Sequence, residues 1–329
     1  MTKEWVPAPP NFGRLAEILY ALDEPNWLPM LQDAMRTSLP GSLAELLFHG
    51  TWHEPYPVPK AVVGTSPELG EVGGKFLRLQ PSHYLAAKRR TMVVSDNQAA
   101  EGRFETLAHA GWALRSGGRD CFGLSATDPL TLVTTGMTAL VPRAAPDRFA
   151  PDLVEAWEGI TLHMLHAASV RHSMAEGHLT VEAVYAADGR CIDAGPRARN
   201  ARDMLREAVR RVDRARGPWR DKPDESKVRT PRLAGNWTLV DQFDHDGKHY
   251  VVVYAPQPPA AARPPTPLDA RRDERRAARK TSVLSARERH VTALLASGWP
   301  YKRIAYYLGL SAGAVASYSH RARTKLAAS

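Results

Sequence analysis

Residues 284–326 read "LSARERHVTALLASGWPYKRIAYYLGLSAGAVASYSHRARTKL", and the punctuation of this stretch decides the fold of the C-terminal region. Ser285 and Glu288 stand three residues apart, the S-x-x-E capping box that satisfies two orphan N–H groups at a helix start. Val291, Leu294 and Leu295 then recur at helical spacing until Gly298 offers a left-handed stop. A second helix is expected from about Pro300 through "YKRIAYYL" to Gly309, and a third, capped by Ser311, from Ala312 to about Ala327. Ala305, Gly309 and Val315 supply what two helices crossing at a tight turn need: a small residue, a glycine free to take positive φ, and an apolar anchor. With Ile304, Leu308, Leu310 and Leu326 as the expected small core, the spacing predicts a helix-turn-helix.

The charge distribution points the same way. From Arg263 onward the chain carries 14 Lys and Arg against 4 Asp and Glu, while the rest of the 329 residues carries 30 against 31. A neutral body joined to a cationic tail suggests that the tail alone meets a polyanion, and nucleic acid is the usual one. Between the two lies "APQPPAAARPPTPL" (255–268), which is expected to be an extended, solvated spacer, and then "DARRDERRAARK" (269–280), a short basic arm.

Residues 284–326 resemble the LuxR (GerE) type of helix-turn-helix. The match runs without a gap through Leu284, Arg287, Glu288, Val291, Leu295, Gly298, Lys302, Ile304, Ala305, Leu308, Ser311, Val315, Lys325 and Leu326. The resemblance implies a DNA-binding domain of a bacterial transcription regulator, commonly acting as a homodimer. Four positions depart from the family pattern: Arg303 replaces its usual Glu, Ala314 its Thr, Ala316 an often basic or polar residue, and Tyr318 its His. The family's base-reading face therefore falls on Ala316, Ser317 and His320, none of which can make a bidentate contact with guanine. The grip on phosphate is expected from Lys302, Arg303, Ser311, Tyr318, Arg321, Arg323 and Lys325, helped by the N–H groups at the start of the third helix. Such a domain binds through the backbone and discriminates modestly per half-site.

The N-terminal body reads as α+β. "GRLAEILYAL" and "NWLPMLQDAMRTSL" have helical periodicity, with Asn26 placed to cap the second. "SLAELLFHGTW", "TMVVSD", "DCFGLSATD" and "TLVTTGMTALVP" read as strands, the last two as a hairpin across "DPL"; helices are expected at about 81–90 and 103–115. A long helix, "APDLVEAWEGITLHMLHAASVRHSMA", closes this unit with Leu153, Trp157, Ile160 and Met164 on one stripe, a candidate dimer seam. From about His178 the order becomes strand, strand, an arginine-studded helix, then "SKVRTP", "NWTLVDQF" and "KHYVVVYA", with turns at "DGR" and "DHDGK". The first unit is similar to a GAF fold and the second resembles a PAS fold, both by element order. The expected architecture is thus an α+β sensory region of antiparallel sheets with flanking helices (1–176 GAF-like, 177–255 PAS-like), a Pro-rich and basic linker (256–280), and an all-α helix-turn-helix domain (281–329).

Other chemistries find little support. The chain contains no G-x-G-x-x-G, P-loop, H-E-x-x-H or G-x-S-x-G, "ELGEVGGKF" lacks P-loop spacing, and no receiver-domain acidic cluster with its lysine occurs. An enzyme is not expected, nor a cofactor. Cys121 and Cys191 are far apart and form no metal motif; His163 and His166, one turn apart, are expected on a plain helix surface. Trp52 and Tyr56 have the spacing of an acyl-homoserine-lactone pocket, but Thr65 stands where its aspartate belongs. Trp112, Cys121, Trp157 and Met164 are candidates for a sensor pocket. With no targeting signal or membrane-length apolar run, the expected location is the cytoplasm and no membrane partner is expected. The expected partners are double-stranded DNA, a second copy of the chain, a small-molecule or protein signal of unknown identity, and RNA polymerase. The competing reading is an adaptor whose C-terminal helices dock on RNA polymerase or another regulator.

Overall fold

The computed structural model describes residues 4–22, 24–53, 56–65, 79–177, 179–214, 233–234, 237–243, 249–256 and 283–327. The expectations for "ELGEVGGKF", "SKVRTP", "DHDGK", the Pro-rich spacer beyond Pro256 and the basic arm at 269–280 lie outside these residues.

Two helices open the chain, α1 (Phe12–Tyr20) and α2 (Trp27–Arg36). Asn11 caps α1 by accepting from Arg14 N–H, whereas Asn26 sits at the start of α2 without making a side-chain cap, contrary to expectation. There follow β1 (Ala44–His53), β2 (Tyr56–Gly64), α3 (Ser82–Arg90), β3 (Val93–Ser95), α4 (Asp96–Ala99), α5 (Ala110–Arg115), β4 (Asp120–Thr127), β5 (Val133–Val141) and the long α6 (Pro151–Ala175). The helix expected over 103–115 is broken into a 3-10 turn at Phe104–Thr106 and α5.

The five strands form one antiparallel sheet in the order β2-β1-β5-β4-β3. β2 was not among the expected strands; it carries Pro57 and Pro59, and its place at the sheet edge accommodates them, since an edge strand tolerates a missing N–H. The β1–β2 register shifts between His49 and Gly50. A Cβ on Gly50 would lie 2.2 Å from Val58 O, so only glycine allows the two backbones to approach there.

α6 crosses one face of this sheet. The expected stripe is core on its lower part: Trp157 and Ile160 are fully buried and Met164 nearly so. Gly159, Leu162, His163, Leu165 and His166 are buried as well, so the middle of α6 is enclosed all round and offers no seam for a second copy. His163 and His166 correct the surface expectation: both Nδ1 atoms lie 3.0 Å from the hydroxyl of Tyr20 on α1. Their polarity concealed their burial, which is made tolerable by these bonds.

The second sheet is built from β6 (Leu179–Ala186), β7 (Cys191–Ala194), β8 (Leu233–Ala234), β9 (Trp237–Phe243) and β10 (His249–Pro256), in the order β7-β6-β10-β9-β8. It is antiparallel and repeats the strand order of the first. The arginine-studded segment forms α7 (Pro196–Asn200) and α8 (Arg202–Arg214), with Leu205, Ala208 and Val209 packed on Ala183, Tyr185, Val251 and Val253. The other face of the sheet presents Val240, Val252 and Tyr254 to Leu22, beyond α1. No helix among the described residues is long and apolar enough to cross a membrane.

Candidate nucleic-acid interface

Three helices close the chain: α9 (Ala286–Ala296), α10 (Tyr301–Leu308) and α11 (Ala312–Ala327). Ser285 and Glu288 form the expected capping box on α9. Gly298 and Gly309 take φ of 83° and 61°, the left-handed conformation that each turn demands. Val291, Leu294, Ile304, Ala305, Leu308 and Val315 are buried between the helices. Leu310 is half-buried, while Leu326, expected in the core, is 52% exposed.

α11 buries Val315, Ser319 and Ala322. Its opposite face exposes Ala316, Ser317, His320 and Arg321, so the three residues assigned to base reading share one solvent-facing surface. The residues assigned to phosphate divide into two groups. Ser311, Arg321 and Arg323 are exposed on or beside α11; Ser311 Oγ accepts from Ala314 N–H at 3.1 Å, Arg321 lies 4.6 Å above the half-buried Tyr318 ring, and Arg323 donates to Tyr301 at 3.3 Å. The remaining three are engaged by carboxylates. Lys325 binds both oxygens of Glu288 at 3.0 and 2.8 Å, Lys302 binds Glu155 at 3.1 Å, and Arg303 binds Glu158. The Lys325 bond, with the Ser285 N–H, holds Glu288 down to about 2.

Glu155 and Glu158 belong to α6, so the helix-turn-helix is docked on the first α+β unit. Its apolar residues join the same core as α6, α1 and the first sheet. Two polar chains cross the contact. Asp128, in the turn between β4 and β5, accepts from Tyr307 at 2.7 Å and lies 3.1 Å from His290 Nε2. Burial pushes the Asp128 pKa up, but His290 and Tyr307 outweigh it and hold the carboxyl down to about 2. On α6, His163 Nε2 lies 3.3 Å from Tyr306 Oη, extending the chain from His166 through Tyr20 into α10. Nothing in the sequence announced these partners, since each pair is more than 140 residues apart.

The four candidates for a sensor pocket are not brought together. Trp157 and Met164 pack in the core under α6, whereas Cys121 packs with the half-buried Trp112 on the opposite face of the sheet. Neighbouring residues of a strand point to opposite faces, and Phe122, next to Cys121, is the one that meets Trp157. Trp52 is buried in β1; the side chain of Tyr56 lies outside the described residues.

On that far face the fold assembles a group missed by sequence reasoning: Asp96, His109 and Cys121, whose ligand atoms lie within 4.8 Å of one another. These residues fit a hydrogen-bond network better than a metal. Gln80 Oε1 accepts from Ala108 N–H, so its amide nitrogen faces His109 Nδ1 at 2.9 Å and donates to it. The His109 proton is then on Nε2, 2.7 Å from Asp96 Oδ2. Tyr84 and Lys88 bind Asp96 Oδ1 at 2.9 and 2.6 Å. Burial favours the neutral acid, yet the Lys88 ammonium and His109 overcome it and keep Asp96 well below the usual carboxylate range. A divalent ion would have to displace a made hydrogen bond beside an ammonium. Burial and the neighbouring Asp96 and Asp120 carboxyls push the Cys121 thiol well up, so it stands beside this network as a neutral thiol.

A family model described as bacterial regulatory proteins, luxR family, matches residues 282–329. A comparison of the chain with curated proteins gives no significant match. Capping box, two left-handed glycines, an apolar inner face and an exposed outer face on the third helix all fall within the matched segment, and residues 282–329 form a LuxR-family (GerE) helix-turn-helix domain.

Proposed function

We propose that the chain is a transcription regulator, without enzymatic activity, that binds double-stranded DNA through residues 282–329 as a homodimer and is controlled by its N-terminal α+β region. The observation that carries this reading is α11: its apolar side is fully used against α9 and α10, and its outer side presents Ala316, Ser317 and His320 to solvent. Small side chains let a helix lie deep in a major groove, with methyl contact to thymine from Ala316 and hydroxyl contact from Ser317. Phosphates take Ser311, Tyr318, Arg321 and Arg323, joined by Lys302, Arg303 and Lys325 when their carboxylate partners give way.

The N-terminal region is GAF-like over 1–176 and PAS-like over 177–255, a division supported by two antiparallel sheets of the same strand order, each with flanking helices. The linker spans 256–280. The signal is a small molecule or a protein, and the DNA-bound form acts on RNA polymerase. The protein works in the cytoplasm.

Binding to fluorescent duplexes over a salt series tests this reading. Phosphate contacts predict that log K falls linearly with log salt, by about 0.9 per neutralised phosphate. Binding that ignores salt would transfer the helices to the adaptor reading, in which they dock on a protein partner.

A further inference from the structure

We propose that the docked arrangement lowers the affinity of the helix-turn-helix for DNA by occupying its grip while leaving its reading face open. Glu155 and Glu158 of α6 stand on Lys302 and Arg303 in the place of phosphates. This deepens the DNA-binding reading and rests on it.

Accessibility separates the two functions of the domain. The Arg303 side chain is only 14% exposed and is covered by Glu158, so it cannot reach a phosphate while α10 lies on α6. A duplex approaching this edge also meets two carboxylates that repel it. Ala316, Ser317, His320 and Arg321, in contrast, remain exposed in the docked state. The docked protein therefore retains its sequence preference and loses strength.

The clamp has one strong and one weak part. Lys302 and Glu155 are 87% and 53% exposed, and such a pair holds little. The firm anchors are half-buried or buried: Arg303 on Glu158, Tyr307 on Asp128, and Tyr306 on His163. Asp128 lies in the turn that joins β4 to β5, and Glu158 and His163 lie on the helix packed over the same sheet. Any change that shifts α6 relative to that turn strains all three anchors together, so the first α+β unit holds the lever on α10.

The test uses the full chain, duplexes of about 30 base pairs differing in sequence, and hydrogen exchange of the α10 amides. Glu158→Gln and Tyr307→Phe should lose protection across Tyr301–Leu308. Each should bind every duplex about tenfold more tightly, with the ranking of duplexes unchanged. Glu155→Gln sits on the rim and does not disturb folding; it should give a rise of about two- to threefold and serves if the other variants fold poorly. Lost protection with unchanged affinity overturns the proposal, as does a gain confined to one sequence, which would mean that docking touches the reading face. If neither wild type nor variants show salt-dependent binding, the DNA reading itself fails, a result distinct from both.

Discussion

Tyr307 donates its phenolic proton to Asp128 across 2.7 Å, joining the second helix of the helix-turn-helix to a turn 179 residues earlier in the chain. Both groups are buried, and Asp128 also binds His290 and the N–H groups of Leu130 and Thr131. Removing the phenol leaves a buried carboxylate short of one donor. Tyr307→Phe should therefore lower the unfolding free energy in urea by about 1–3 kcal/mol, with a shape-preserving ring left in place.

The same carboxyl sets an acid limit. Its pKa falls from 3.8 in the unfolded chain to about 2 in the folded one, so it contributes stability above pH 4 that is lost as pH drops toward 2. Linkage puts the loss at about 2 kcal/mol over that window. Urea midpoints measured from pH 5 to pH 2 should fall, and Asp128→Asn should flatten the fall. Equal slopes in both proteins would assign the acid sensitivity to other carboxyls.

Ile160 and Trp157 are fully buried beneath α6. A charge there breaks the core, so Ile160→Glu should yield unfolded or insoluble protein and says nothing of dimerisation. Trp157→Ala removes an indole packed edge-on against Phe122 and should cost about 3–5 kcal/mol in chemical denaturation.

Arg321 is exposed on the outer side of α11. Arg321→Ala should weaken binding to all duplexes about equally and reduce the salt slope by about one unit. Loss confined to a single sequence would move Arg321 from the backbone to a base.

Ala316 faces solvent next to Ser317. Ala316→Arg places a fork of donors where guanine O6 and N7 can be read, and selection from a randomised-site library should shift toward guanine at one position per half-site without loss of binding. An unchanged preference would place this face outside the groove.

The helix-turn-helix was legible because its determinants are local. Ser285 with Glu288, Gly298 and Gly309 act on backbone within four residues of themselves, and the structure shows the capping box and both left-handed turns where the spacing required them. The strands of the first sheet were legible as short apolar and β-branched runs bounded by turn residues, except β2, whose prolines are compatible with a strand only at the edge position conferred by strand order.

The sequence by itself determined most of the elements, the cationic C-terminal region and the residues on each face of α11, since these depend on periodicity and on neighbours a few positions away. Only the tertiary structure decided which surfaces are used. It buried His163 and His166 against Tyr20, sent Cys121 and Trp157 to opposite faces of one sheet, and paired Lys302 and Arg303 with Glu155 and Glu158. Such pairings depend on how separately formed elements pack, and residues more than 140 positions apart leave no mark of their contact in the local pattern of either one.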